Sequence, residues 1–235
     1  MTGEPSPPAV FLSKPTTLFD GMGVPAPDIP EELLDGWRRI EKREEKPFRA
    51  GPISVRAHTV VYEDAERRER LREAIGPEVD TIWRFYFASR VRIRPRISSS
   101  VALTRIVESN ATAAFREELR TRGFQSVERR DRRTLDVGGR IAPTFRFVAV
   151  VSAVSMAVAS EAFLAVVPGD REYQLVGGAY PTSVIDGDSG DNNSGNTSDD
   201  TTEDSKSAIE AFLQPESDRE ELIRLIRTAR GHPDR

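Results

Sequence analysis

Arginine is the residue type in this chain with the most evident capacity for chemistry. Arg90, Arg92 and Arg94 alternate along one stretch, with Arg96 just past Pro95; Arg129, Arg130, Arg132 and Arg133 crowd a second. A guanidinium is always charged and presents a planar fork of donors that matches phosphate and carboxylate oxygens. Alternate positions of a strand share a face. If the two stretches are neighbours in one sheet, their arginines form a candidate anion-binding face, with Tyr86 as a stacking group for a nucleic-acid base. The competing reading is internal pairing. Glu128, Asp131 and Asp136 lie close in sequence, and 30 of the 235 residues are arginine against four lysines, so clusters arise by chance.

Other chemistry finds little footing. There is no cysteine, which excludes disulfides, thiolate metal sites and thiol nucleophiles. The two histidines are His58, in a β-rich stretch beside Arg56 and Tyr62, and His232, near the end of the chain. One histidine in an ordered region cannot build a multi-histidine metal centre. No G-x-S-x-G elbow, phosphate loop or dinucleotide fingerprint is present. Gly177-Gly178 is followed by Ala179-Tyr180-Pro181, a strand exit and not a phosphate cradle. Asp186, Asp188 and Asp191 lack the glycine and terminal glutamate of a calcium loop. The sequence therefore predicts no catalytic residue, no metal ligand and no cofactor.

The elements that would carry these residues follow from periodicity. Ile53 to Tyr62 alternates at strand period. Asp64 is placed to cap a helix that Gly76-Pro77 ends. Trp83 to Arg94 is the clearest strand, with Trp83, Phe85, Phe87, Val91 and Ile93 on one face and the arginines with Tyr86 and Ala88 on the other. A helix is expected from Ser109 or Asn110 to Arg122, stopped by Gly123. Two hairpins follow: 124–136 with 140–151 about Gly138-Gly139, and 161–167 with 172–178 about Pro168-Gly169-Asp170-Arg171. Ser207 with Glu210, and Ser217 with Glu220, have capping-box spacing ahead of C-terminal helices.

These elements predict an α+β fold: an antiparallel sheet of about six to seven strands with helices packed on its faces, an α/β/α sandwich. Residues 1–30 hold seven of the sixteen prolines and read as a loose arm. Order is expected from Glu31, with 31–185 forming the main body. Residues 186–206 read as a disordered acidic insert, 207–230 as helices completing the same domain, and 231–235 as a tail. Residues 186–205 hold seven acidic and no basic residues, so this segment sets the sign of the net charge of −4. The apolar run from Phe147 is too short and too rich in valine and serine to span a membrane as a helix. With no secretory signal visible, a cytoplasmic location is expected.

The order and length of elements between Ile53 and Arg230 resemble the PsbP-like fold of photosystem extrinsic subunits. The residues that carry this are a helix ending at Gly123 that leads into a hairpin, and a late hairpin that leads to a C-terminal helix. The chain is also similar to uncharacterised haloarchaeal proteins in its segments WRFYFASRVRIRP and LVGGAYPT. The PsbP-like resemblance implies a non-catalytic module acting through a partner. The function expected is thus binding or assembly with a protein partner. The alternatives are polyanion or nucleic-acid binding through the arginines, and an enzyme without a recognisable motif.

Overall fold

The computed structural model describes residues 23–50, 53–76, 83–95, 99–153, 156–170, 172–185 and 199–229. The arm before Gly23, most of the acidic insert (186–198), Arg96 and the tail lie outside the described residues.

Seven strands form one open antiparallel sheet. They are β1 (Trp37–Ala50), β2 (Ile53–Asp64), β3 (Phe85–Arg94), β4 (Phe124–Val137), β5 (Arg140–Ala153), β6 (Met156–Pro168) and β7 (Glu172–Ile185). Their order across the sheet is β1-β2-β3-β7-β6-β5-β4. Among the described residues, four α-helices accompany them: α1 (Ala65–Ile75), α2 (Val101–Thr121), α3 (Asp199–Phe212) and α4 (Pro215–Thr228). The α+β class read from the sequence is the class observed.

The alternation in β3 splits the core in two. Phe85, Phe87, Val91 and Ile93 pack on the face that also receives Leu71 of α1, Phe115 and Leu119 of α2, and Ile209 of α3. Tyr86 and Ala88 pack on the opposite face, against Leu222, Leu225 and Ile226 of α4. Helices therefore cover both sides of the sheet. The β4–β5 turn is the one expected: Gly138 and Gly139 take φ of 58° and 81°, conformations that L side chains adopt only at a cost. Asp64 caps α1 by accepting from the Arg67 N–H at 3.0 Å.

Several boundaries differ from the sequence reading. Residues 37–50 form strand β1, an element the periodicity reading did not include. Helix α2 begins at Val101, eight or more residues before its expected start, because Ser100 caps it by accepting from the Leu103 N–H. Helix α3 begins at Asp199, inside the segment expected to lack structure, so Ser207 lies within the helix and does not cap it. Helix α4 starts with Pro215 and no side-chain cap, so Ser217 is likewise already helical. Proline suits a first turn, where its missing N–H would have no partner. Strand β6 begins at Met156 and pairs with β5, making β4 to β7 a continuous meander where two separate hairpins were expected. Residues 23–30, expected as the end of the loose arm, pack on the domain: Val24 is buried and its carbonyl accepts from His58 Nδ1 at 2.9 Å.

Candidate functional site

The two arginine stretches do not meet. Strand β3 is central and β4 is an edge, with β7, β6 and β5 between them. They also divide between faces. Arg90 and Arg92 lie on the α4 side of the sheet, whereas Arg129 and Arg132 stack over Phe145, each with Cζ 5.8 Å from the ring centroid, on the α2 side. The joint basic face expected if the stretches were neighbours is therefore not formed.

Most of these arginines have partners. Arg90 is buried, and its Nε lies 2.8 Å from Glu172; Arg92 meets the other oxygen of the same carboxylate at 3.0 Å. Arg132 reaches Glu108 of α2 at 3.2 Å, Arg130 reaches Glu128 at 3.0 Å, and Arg133 approaches Asp131 at 3.6 Å. Arg94 is half-buried at the end of β3. Tyr86, the proposed stacking group, is 1% exposed and unavailable to a base.

His58 is buried on the α4 side, opposite Arg90 in the ladder. Because a carbonyl only accepts, its Nδ1 carries the proton that binds Val24. A second polar cluster joins α1 and α4 to the start of β1, the end of β2 and the residue just before β3. Arg84 donates to Asp64 at 2.7 Å and to Glu221 at 2.6 Å, Arg67 donates to Asp218, and Trp37 donates its indole N–H to Glu221 at 3.0 Å. The recess beside it, about 20 Å³, holds nothing larger than a water. This cluster fastens helices to the sheet and leaves no room for a substrate. Among the described residues, no group of acidic or histidine side chains is arranged to hold a metal ion.

A larger space lies elsewhere. Helix α2 packs on β4 and β6 and stands off from β2 and β3 on the same face. Between the helix flank and these strands is a cavity of about 410 Å³. Its floor is made by the cross-strand pairs Val55–Ile93, Ala57–Val91, Thr59–Ser89 and Val61–Phe87. Leu103, Val107 and Phe115 of α2 form the roof, spaced at one helical turn or two. Gly177 of β7 lies opposite Phe87, whose Cε1 would be 2.9 Å from a Cβ at that position. A side chain there would push the Phe87 ring into the space.

Polar groups occur at two places. On the floor, the Thr59 hydroxyl donates to Ser89 Oγ at 2.8 Å. At one end, β1 brings Arg43 and Glu45 to the rim, and α2 brings Glu118 together with Arg122, the residue that follows its last turn. Glu118 Oε1 receives Arg43 at 3.1 Å and Arg122 at 2.6 Å, and Glu41 holds both arginines from the other side, at 2.6 and 2.8 Å. Burial alone would raise the Glu118 pKa, but Arg122 and Arg43 together overcome it and hold the carboxyl below its ordinary value. Burial opposes the charge of Arg43 too, and its glutamate partners keep its pKa raised.

Sequence reasoning missed this cavity. Most of its floor residues read as one face of two alternating strands, but the stand-off of α2 leaves no local mark. The one available signal was the spacing of Glu41, Arg43 and Glu45, charges at alternate positions that place an ionic rim along an apolar strand face.

Comparison with curated proteins finds no match, and comparison with solved structures finds none. A family model described as a domain of unknown function, DUF6517, matches residues 26–230. That range takes in the whole sheet and all four helices, and the chain belongs to the DUF6517 family.

Proposed function

We propose that this protein is a non-catalytic binding module that holds a small apolar molecule between α2 and the β2–β3 floor. The cavity carries the reading. Its volume of about 410 Å³ falls within the roughly 300–1,000 Å³ of small-molecule sites, and its walls are aliphatic and aromatic. No histidine lines it, and the rim carboxylates are engaged by arginines, so the geometry favours retention over acid–base chemistry. A large unfilled apolar space destabilises a fold; an occupant offsets that cost.

The protein partner expected from the sequence belongs to the same proposal. Val101 and Ile106 stand 74% and 59% exposed on α2, the helix that roofs the cavity; a protein that delivers or receives the ligand would dock there. The polyanion alternative draws less support, because the arginines it relies on are divided between faces and largely paired. A cytoplasmic location, kinship with haloarchaeal proteins and likeness to the PsbP-like fold are proposed with it. The arginine-over-lysine bias and the order of the helices and late strands support the two resemblances.

The test uses Nile red, an uncharged dye that fluoresces in apolar surroundings. One saturable site in the full chain, lost in Val107→Trp, supports the reading. Absence of saturable binding, or binding that Val107→Trp leaves unchanged in a folded protein, rejects it.

A further inference from the structure

The ionic rim of the cavity is unevenly matched. Among the described side chains there, two guanidinium groups, Arg43 and Arg122, face three carboxylates, Glu41, Glu45 and Glu118, which leaves one negative charge in excess. The arginines are committed. Arg43 meets Glu41 at 2.6 Å and Glu118 at 3.1 Å, and Arg122 meets the same two carboxylates at 2.8 and 2.6 Å. A ligand carboxylate would have to displace one of these glutamates while losing its own water.

Glu45 is held differently. It approaches Arg43 Nη1 at 3.5 Å, longer than a charge-assisted hydrogen bond. An ionised carboxylate has about four lone-pair positions, so Glu45 can accept from a further donor. Its side chain lines the cavity and is 44% exposed, against 30% and 29% for Glu41 and Glu118. In the sheet it stands beside the floor, since Glu45 pairs with Ala57 and Ala57 with Val91. A cationic head group at Glu45 keeps part of its hydration, which limits the desolvation that makes buried ion pairs costly. An apolar chain attached to that head group enters the space under Leu103, Val107 and Phe115.

We propose that the ligand is an apolar chain ending in a primary ammonium group that donates to Glu45, an inference that rests on the cavity reading above. The surplus negative charge attracts the ammonium, and the same charge disfavours a carboxylate of equal chain length.

The experiment measures displacement of Nile red from the full-length protein at pH 7, where a primary amine is charged, by dodecane, 1-dodecanol, dodecanoate and dodecylammonium, each below its aggregation threshold. Dodecylammonium is expected to act at a concentration roughly fivefold lower than 1-dodecanol and roughly tenfold lower than dodecanoate. In Glu45→Gln its advantage over 1-dodecanol is expected to fall to near unity. Glu44→Gln changes the net charge equally, but Glu44 lies 3.7 Å from His58 on the opposite face of β1, and the advantage is expected to persist there. Dodecylammonium no better than 1-dodecanol in the wild-type protein overturns the proposal. So does an advantage that Glu45→Gln leaves intact, or one that Glu44→Gln abolishes equally. In these cases displacement by dodecane or 1-dodecanol leaves the cavity reading standing. If none of the four displaces the dye, the cavity reading fails with the inference.

Discussion

One terminal nitrogen of Arg67, on α1, donates to both carboxylate oxygens of Asp218, on α4, at 2.7 and 2.6 Å across 151 residues of chain. Asp218 is fully buried, and Arg84 Nε lies 3.4 Å from it. Burial pushes the Asp218 pKa above its ordinary value, against the pull of Arg67 and Arg84. Removing one partner of such a group leaves uncompensated buried charge. Asp218→Ala is expected to lower the unfolding free energy by about 3–5 kcal/mol, read from urea denaturation. A loss under 1 kcal/mol would show that the helices are held without this cluster.

Gly177 and Gly178 sit in mid-sheet, where a Cβ would run into the carbonyl oxygens of Phe163 and Phe85 respectively. Each also has a side chain 2.9 Å away from that position, Phe87 for Gly177 and Leu222 for Gly178. Backbone atoms cannot step aside as a side-chain tip can. Gly177→Ala is expected to cost about 1–3 kcal/mol and to weaken Nile red binding by displacing Phe87 into the cavity. Thermal unfolding with dye titration checks both. An unchanged midpoint would mean the β3–β7 seam has more slack than its geometry shows.

Glu172 bridges Arg90 and Arg92, one carboxylate oxygen to each. Glu172→Gln leaves the buried Arg90 without its carboxylate and is expected to destabilise the fold by about 3–5 kcal/mol. Arg92 is one-third exposed and can turn toward water, so Arg92→Ala alone should cost well under 1 kcal/mol. Denaturation of the two variants side by side decides whether this pair of arginines is structural. Equal effects would contradict the assignment.

Acid should weaken the rim and the α4 attachment. Glu118 and Glu221 both have pKa values held below the ordinary carboxylate value, burial being outweighed by Arg122 and Arg43 for the first, and by Arg84 and Trp37 for the second. A carboxyl with a depressed folded pKa contributes stability that is present above its unfolded pKa of about 4.3 and is lost as pH falls through the folded value. Asp218 acts with the opposite sign, since its folded pKa is raised. Urea midpoints between pH 3 and 7 are expected to fall toward acid, and Glu118→Gln should flatten that limb. A variant with the same acid slope as the wild type would remove Glu118 from the account.

Some of this was legible in the amino-acid order, and some was not, for identifiable reasons. Strand β3 declared itself because its two faces differ in polarity, and the Gly138-Gly139 turn because only glycine takes those angles easily. Strand β1 did not, because Glu41, Lys42, Arg43, Glu44 and Glu45 are charged on both faces, as an edge strand with water beside it tolerates. The start of α2 was hidden because Val101 to Ser109 mixes β-branched and hydroxyl residues whose local preference is weak for helix. The arginine row on β3 was visible, but the pairing of Arg90 and Arg92 depends on Glu172, 80 residues beyond Arg92. Such pairing is a property of the β3–β7 ladder and has no trace in local spacing. The cavity is less visible still, since it arises from where α2 does not touch.

The sheet is two meanders joined at one seam. Strands β1 to β3 pair in chain order, as do β4 to β7, and the β3–β7 ladder is the strand pairing that joins the two sets. Hairpin contacts form on the microsecond scale, while a ladder between distant segments must first close a long loop. Each meander is thus able to assemble early, and the search for the partner strand sets the pace of folding. Both strands at the seam expose unpaired edges until they meet, so the interval before docking is when this chain is most open to pairing with another copy of itself.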